Sequence, residues 1–248
     1  MSELVSSIRE KFLFTLDQIA ASARKSGRDP AEIELVVVTK SQPLEVVQAV
    51  IEAGVRILGE NYPEEGVTKI QSLPHQSGVE WHMIGHVQSR KAHLVPEHFE
   101  LLHSLDSLKL ARRLDRFAAE QKRVLPVLLE FNVGAEASKS GWDASDESHW
   151  DVLLPDVQSI LDLPNLRVQG LMTMPPLEVE PDGARRFFQR LRLLRDRLAF
   201  TFPQADWREL SMGTSADYTV AVEEGATFVR VGTAIVGARR YRSEKEAL

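Results

Sequence analysis

The sequence predicts a single α/β barrel of eight parallel strands, and three observations carry that prediction. Strand-like and helix-like stretches alternate from residue 33 to the end, which implies parallel strands joined by crossover helices. The first strand, Ile33-Glu34-Leu35-Val36-Val37-Val38-Thr39-Lys40, is an almost unbroken apolar run, as expected of a strand buried on both faces. Finally, 248 residues, 43% of them apolar and 27% charged, suit one barrel with a sizeable core. A doubly wound open sheet is the alternative, because periodicity alone does not show closure.

The elements follow in order. An extra amphipathic helix, about Ser2 to Lys25, leads the chain. The strand-like runs, short and rich in branched apolar and aromatic residues, are Leu35–Thr39, Arg56–Gly59, Glu80–Ile84 and Leu101–Leu105. Four more follow at Leu125–Asn132, Arg167–Met172, Trp207–Ser211 and Phe228–Val231. Helical periodicity falls between them, over Leu44–Ala53, Leu108–Gln121, Asp151–Leu161, Ala184–Leu198 and Asp217–Glu224. Only Gly134–Ser148 reads as a long rim loop. No repeat, low-complexity tract or linker divides the chain, so residues 1–248 are read as one domain.

Composition excludes several classes of function. A net charge of −6 argues against nucleic-acid binding. There is no signal region near the N-terminus and no membrane-length apolar run. The chain has no cysteine, which fits a reducing compartment and leads to a cytoplasmic assignment.

Lys40 ends the first strand, at the C-terminal rim where α/β proteins place their chemistry. A partly desolvated amine there attacks carbonyls to form a Schiff base, whereas a solvated lysine merely ends the strand. In a closed barrel, strand 8 lies beside strand 1 and brings Arg230, Gly232 and Thr233 to the same rim. The strand-7 exit, Ser211-Met212-Gly213-Thr214-Ser215-Ala216-Asp217, offers hydroxyl and backbone donors suited to a phosphate, or equally an N-cap. Arg230 sits among apolar residues. It either points into the barrel and needs partners, or faces outward to pair with Glu223 or Glu224. His82 and His86 flank a strand end and read as hydrogen-bonded rim residues, and no metal site is assigned. Tyr62 is read as packing at a helix start.

Together these features resemble the pyridoxal 5'-phosphate site of alanine-racemase-type (fold type III) barrels, and more closely the YggS-type pyridoxal phosphate homeostasis family. The matching segments are Val37–Lys40, Gly59–Tyr62, Trp81–Ser89, His103–Ser107, Ser138–Gly141, Gly170–Met174, Leu210–Gly213 and Val229–Ile235. Thr214 and Arg90 depart from the family pattern, which has methionine and asparagine there.

The resemblance implies that Lys40 holds the cofactor as a Schiff base, with Asn61 beside the ring and Met172 packed near it. It implies phosphate contacts from Ser211, Gly213, Gly232 and Thr233, and Arg230 facing the pyridine nitrogen. Racemases of this fold carry a second, β-rich domain, whereas here the chain ends soon after strand 8, at Tyr241–Leu248. The expectation is therefore a monomeric carrier that releases the cofactor to apo-enzymes, with no assigned catalytic residue. An amino-acid racemase and a cofactor-free Schiff-base aldolase are the alternatives.

Overall fold

The structure, a computed structural model, describes residues 2–73, 78–136, 139–176 and 180–238. Ser138 of the family-like segment and Tyr241–Leu248 lie outside the described residues.

Eight parallel strands close into a barrel: β1 Glu34–Val38, β2 Ile57–Glu60, β3 Glu80–Met83, β4 Leu101–Leu105, β5 Leu125–Asn132, β6 Leu166–Met172, β7 Glu209–Ser211 and β8 Phe228–Val231. β8 pairs with β1 in the register Val36 to Arg230, and this pairing shuts the barrel. The open-sheet alternative is excluded. A two-residue strand, Trp142–Asp143, adds to the end of β5 inside the expected rim loop.

The helices are α1 Glu3–Lys25, α2 Leu44–Glu52, α3 Pro63–Ser72, α4 Leu94–His98, α5 Leu108–Glu120, α6 Leu154–Leu161, α7 Arg185–Thr201, α8 Tyr218–Glu223 and α9 Thr233–Val236. Where Asp151–Leu161 was expected to be one helix, α6 is shorter. The residues before it, Glu147–Leu153, wind as a 3₁₀ helix, and Pro155 sits in the first turn of α6.

α1 starts at Ser2, whose hydroxyl accepts from the Val5 N–H, and ends with Arg24 and Lys25 against the helix dipole. It buries Val5, Ile8, Ile19 and Ala23 and packs on α8, α2 and α9, covering the seam where β8 meets β1. Just beyond it, Arg28 donates to the carbonyls of Val222 and Ala226, both at 2.8 Å.

Two apolar layers result. The larger lies between the strands and the helices. A smaller one, Val36, Val38, Ile84, Leu101, Leu128, Met172 and Phe228, fills the barrel interior. Because side chains alternate along a strand, Val36 and Val38 inside put Lys40 on the interior parity, and Phe228 inside does the same for Arg230. No helix among the described residues is long and apolar enough to cross a membrane.

Candidate functional site

A cavity of about 490 Å³ opens at the C-terminal rim over β1, β2 and β8. Lys40, Asn61, Arg230, Gly232 and Thr233 line it, as do Thr214 and Ser215 of the β7 exit.

The backbone on either side of Lys40 is clamped. Thr39, fully buried, donates its hydroxyl to Glu60 Oε1 at 2.6 Å and its N–H to the Gly59 carbonyl at 3.1 Å. Lys69 Nζ joins the same knot, donating to the Thr39 carbonyl (2.8 Å), to Glu60 Oε1 (2.7 Å) and to Glu65 Oε1 (2.6 Å). Ser41 turns the chain at φ +57°, and its N–H is held by Glu65 Oε1 at 2.6 Å. Burial pushes the Glu60 carboxyl up, while Lys69 and Thr39 pull it back down. These bonds aim Lys40 at the cavity without using its own amine.

Asn61 reaches the cavity because Gly85 lies against its backbone. A Cβ at Gly85 would stand 2.4 Å from the Asn61 carbonyl oxygen. Ser104 holds that close approach by donating to the Gly85 carbonyl at 2.6 Å. The side-chain oxygen of Asn61 is buried with no hydrogen-bond partner, so it is a polar group aimed at something the protein does not supply.

Arg230 is 3% exposed and faces inward, so the outward pairing is ruled out. Its guanidinium donates to Ser211 Oγ and, at 2.9 Å, to the Thr173 carbonyl, with Met174 Sδ at 3.0 Å. Burial pushes its pKa down to about 10. Glu223 and Glu224 are engaged outside the barrel by Lys25, Arg185 and Arg192.

Two rim loops meet beside Lys40. The Gly232 N–H donates to Ser215 Oγ at 3.2 Å, tying the β8 exit to the β7 exit. Asp217 Oδ1 accepts from the N–H and hydroxyl of Thr214, at 2.7 and 3.0 Å, closing the β7 loop. Asp217 stands at the N-cap of α8 but makes no side-chain bond to its first turn, so the N-cap reading is not met. Asp217 braces the turn, and the Ser215 hydroxyl proton stays available to the cavity.

Three expected site residues stand behind the cavity wall. Ser211 is fully buried with its hydroxyl turned inward to Arg230 and to His103, so it does not present that hydroxyl to a phosphate. Met172 belongs to the interior apolar layer. Gly213, at φ +93°, lets α8 pack close, since a Cβ there would meet Ala221 Cβ at 2.6 Å. Tyr62, expected to pack, is 55% exposed.

The two histidines separate. His86 is an exposed rim residue on Asp106, at 2.6 Å. His82 is not at the rim. It is buried near the N-terminal mouth, which is lined by Glu34, Glu80, Glu100 and Glu209 near the strand starts. No cluster of three metal-ligating side chains occurs among the described residues.

Sequence reasoning missed Glu130, on the interior face of β5. Burial, with Asp106 adding to it, pushes its pKa from 4.5 up to about 7, against the opposing pull of Arg230, His86 and Lys139. The folded protein thus keeps a proton to about pH 7 that the unfolded chain releases near 4.5. Its stabilising contribution is complete below that lower value and is lost as pH rises through 7. Glu130→Gln should remove the loss. Between pH 5 and pH 8, wild type should lose on the order of 1–3 kcal/mol relative to the variant in urea unfolding. Parallel pH profiles would contradict the assignment.

Comparison with known proteins agrees with the barrel fold. The family description "Alanine racemase, N-terminal domain" matches residues 15–240. The chain is 38% identical over 240 residues to the pyridoxal phosphate homeostasis protein of Vibrio alginolyticus, covering 96% of this chain and 100% of that one. It is 39% identical over 227 residues to the protein of the same name in Escherichia coli, covering 91% and 94%. Among solved structures it is similar to PipY of Synechococcus elongatus with PLP bound, at TM-score 0.75 and 34% identity, covering 88% and 100%. An alanine racemase of Clostridium difficile shares the fold at TM-score 0.68 and 16% identity, covering 96% of this chain and 58% of that one.

Proposed function

This chain belongs to the alanine racemase N-terminal-domain family and, within it, to the pyridoxal phosphate homeostasis proteins, and from that premise we propose that it binds pyridoxal 5'-phosphate at Lys40 and releases it to apo-enzymes. One observation carries the reading. Lys40, an unpartnered Asn61 oxygen, the Arg230 guanidinium and the hydroxyls of Ser215 and Thr233 line a single cavity of suitable size.

When bound, the cofactor supplies an aldehyde that condenses with amines and a ring that withdraws electrons. Everything else falls to the protein. The Lys40 amine is the nucleophile, held at the rim by the Thr39–Glu60–Lys69 knot. Asn61 would hydrogen-bond a polar group of the cofactor. Thr214, Ser215, Gly232 and Thr233 would hold its phosphate, where charge-assisted bonds to an anion are strong. Arg230 can only donate, so opposite a pyridine nitrogen it keeps that atom an unprotonated acceptor. This weakens the ring as an electron sink and favours holding the cofactor over turning substrates.

In this reading residues 1–248 are one cofactor-binding domain. Titration with pyridoxal 5'-phosphate and with pyridoxal tests it. The phosphate should tighten binding at least ~10-fold, the worth of a single bond to a charged group. Equal dissociation constants, or no saturable binding of pyridoxal 5'-phosphate, would overturn the assignment.

A further inference from the structure

Inside the barrel a line of hydrogen bonds joins the cavity to the opposite mouth. Arg230 on β8 donates to Ser211 Oγ on β7. Ser211 Oγ lies 2.7 Å from His103 Nδ1 on β4. His103 Nε2 lies 3.0 Å from His82 Nδ1 on β3, and His82 Nε2 is 3.5 Å from Glu80 Oε2. The four inner members are 3% exposed or less, while the Glu80 side chain is 58% exposed at the N-terminal mouth. The ring of Phe228 packs edge-on against both imidazoles, with centroids 5.7 and 5.2 Å away.

The two ends together fix the direction of every bond. An arginine has donors only, so Ser211 Oγ accepts from it, but a hydroxyl has two acceptor lone pairs and its own proton is assigned from the other end. The Glu80 carboxylate accepts, so the proton of His82 sits on Nε2 and His82 Nδ1 is an acceptor for the proton on His103 Nε2. That leaves His103 Nδ1 to accept the Ser211 hydroxyl proton. Burial, with His82 and Arg230 adding to it, holds His103 far below the ordinary imidazole pKa, consistent with a neutral ring.

We propose that His103 is a positioning residue: acting through Ser211, it fixes the plane of the Arg230 guanidinium at the cavity, as part of a hydrogen-bond line polarised from Arg230 to Glu80. The inference rests on reading the cavity as a pyridoxal phosphate site, with Arg230 toward the ring nitrogen. Without an acceptor at position 103, the Ser211 hydroxyl must seek another partner and the guanidinium loses its inner brace. The alternative is that His103 merely fills space.

Two measurements separate these readings. Nitrogen-15 NMR of the histidines in the full, cofactor-free chain should show the Nε2–H tautomer for both His82 and His103. An Nδ1–H tautomer at His103 would overturn the polarised line whether or not any cofactor binds. Second, His103→Leu should weaken pyridoxal 5'-phosphate binding by ~10-fold, the scale of one lost buried hydrogen bond, and move the absorption band of the bound cofactor. His103→Asn places its amide oxygen near the lost Nδ1 and should restore most of both. Equal behaviour of the two variants, or a His103→Leu protein matching wild type in affinity and band, would refute the positioning role. If wild type binds no pyridoxal 5'-phosphate, the functional reading falls, while the tautomers still decide the direction of the line.

Discussion

Lys40→Ala should abolish covalent attachment of pyridoxal 5'-phosphate while leaving the fold intact. The amine is the only one among the described residues lining the cavity, so no neighbour there can take its place. The clamp bonds around it run among Thr39, Ser41, Glu60, Glu65 and Lys69 through atoms other than those of the Lys40 side chain. Truncating a half-buried rim lysine therefore leaves the local backbone in place and costs little stability, within about 0.5–1 kcal/mol. Borohydride treatment of the loaded wild type, followed by peptide mapping, should fix the cofactor on the peptide containing Lys40. The variant should carry none, though the phosphate end should still give weak reversible binding. Wild-type yields of fixed cofactor on another lysine of the variant, Lys69 or Lys139 for example, would defeat the assignment.

Much of this was legible in the sequence, and the parts that were not share a physical cause. The runs at Leu101–Leu105, Leu125–Asn132 and Phe228–Val231 match the strands residue for residue. Each is bounded by residues that cannot extend a buried strand, such as Asp106 and Gly232. Trp207–Ser211 reads as a strand, yet only Glu209–Ser211 pairs. Trp207 instead packs in the outer layer and donates its ring N–H to the Phe202 carbonyl at 3.0 Å.

The site was legible where it depends on the order of strands, as with Lys40, Arg230 and Gly232. It was not legible where closure joins strands far apart in sequence. His103 and Ser211 are 108 residues apart, and no local pattern reports their contact. A signal did exist, since both His103 and Glu130 stand on the inward parity of mostly apolar barrel strands. Two polar side chains pointing into a barrel imply partners there, because burying them alone is costly. His82 needed the same argument. Its parity with Ile84 places it inside, and its pairing with Leu101, the first residue of β4, places it toward the N-terminal mouth, away from the rim.

The carrier reading predicts that loaded protein incubated with L-alanine in deuterated water will show almost no sustained α-proton exchange or D-alanine formation. Racemisation removes a proton from one face of the α-carbon and delivers another to the opposite face, so two proton-exchanging groups must flank the cofactor. Besides Lys40 and Arg230, the described cavity wall is made of amides, hydroxyls, a thioether and aliphatic groups, with no tyrosine, histidine or carboxylate. Arg230, braced inside the barrel, serves poorly as a proton shuttle at neutral pH because its pKa stays near 10 even when buried. Missing one acid/base partner lowers rates by roughly 10²–10⁴, so turnover should fall that far below the ordinary enzymatic range of about 1–10³ per second. Burial raises the Glu130 carboxyl to a pKa of about 7, and it sits inside the barrel behind the cavity wall. Racemisation at ordinary rates would overturn the carrier reading, and its disappearance in Glu130→Gln would identify the second base.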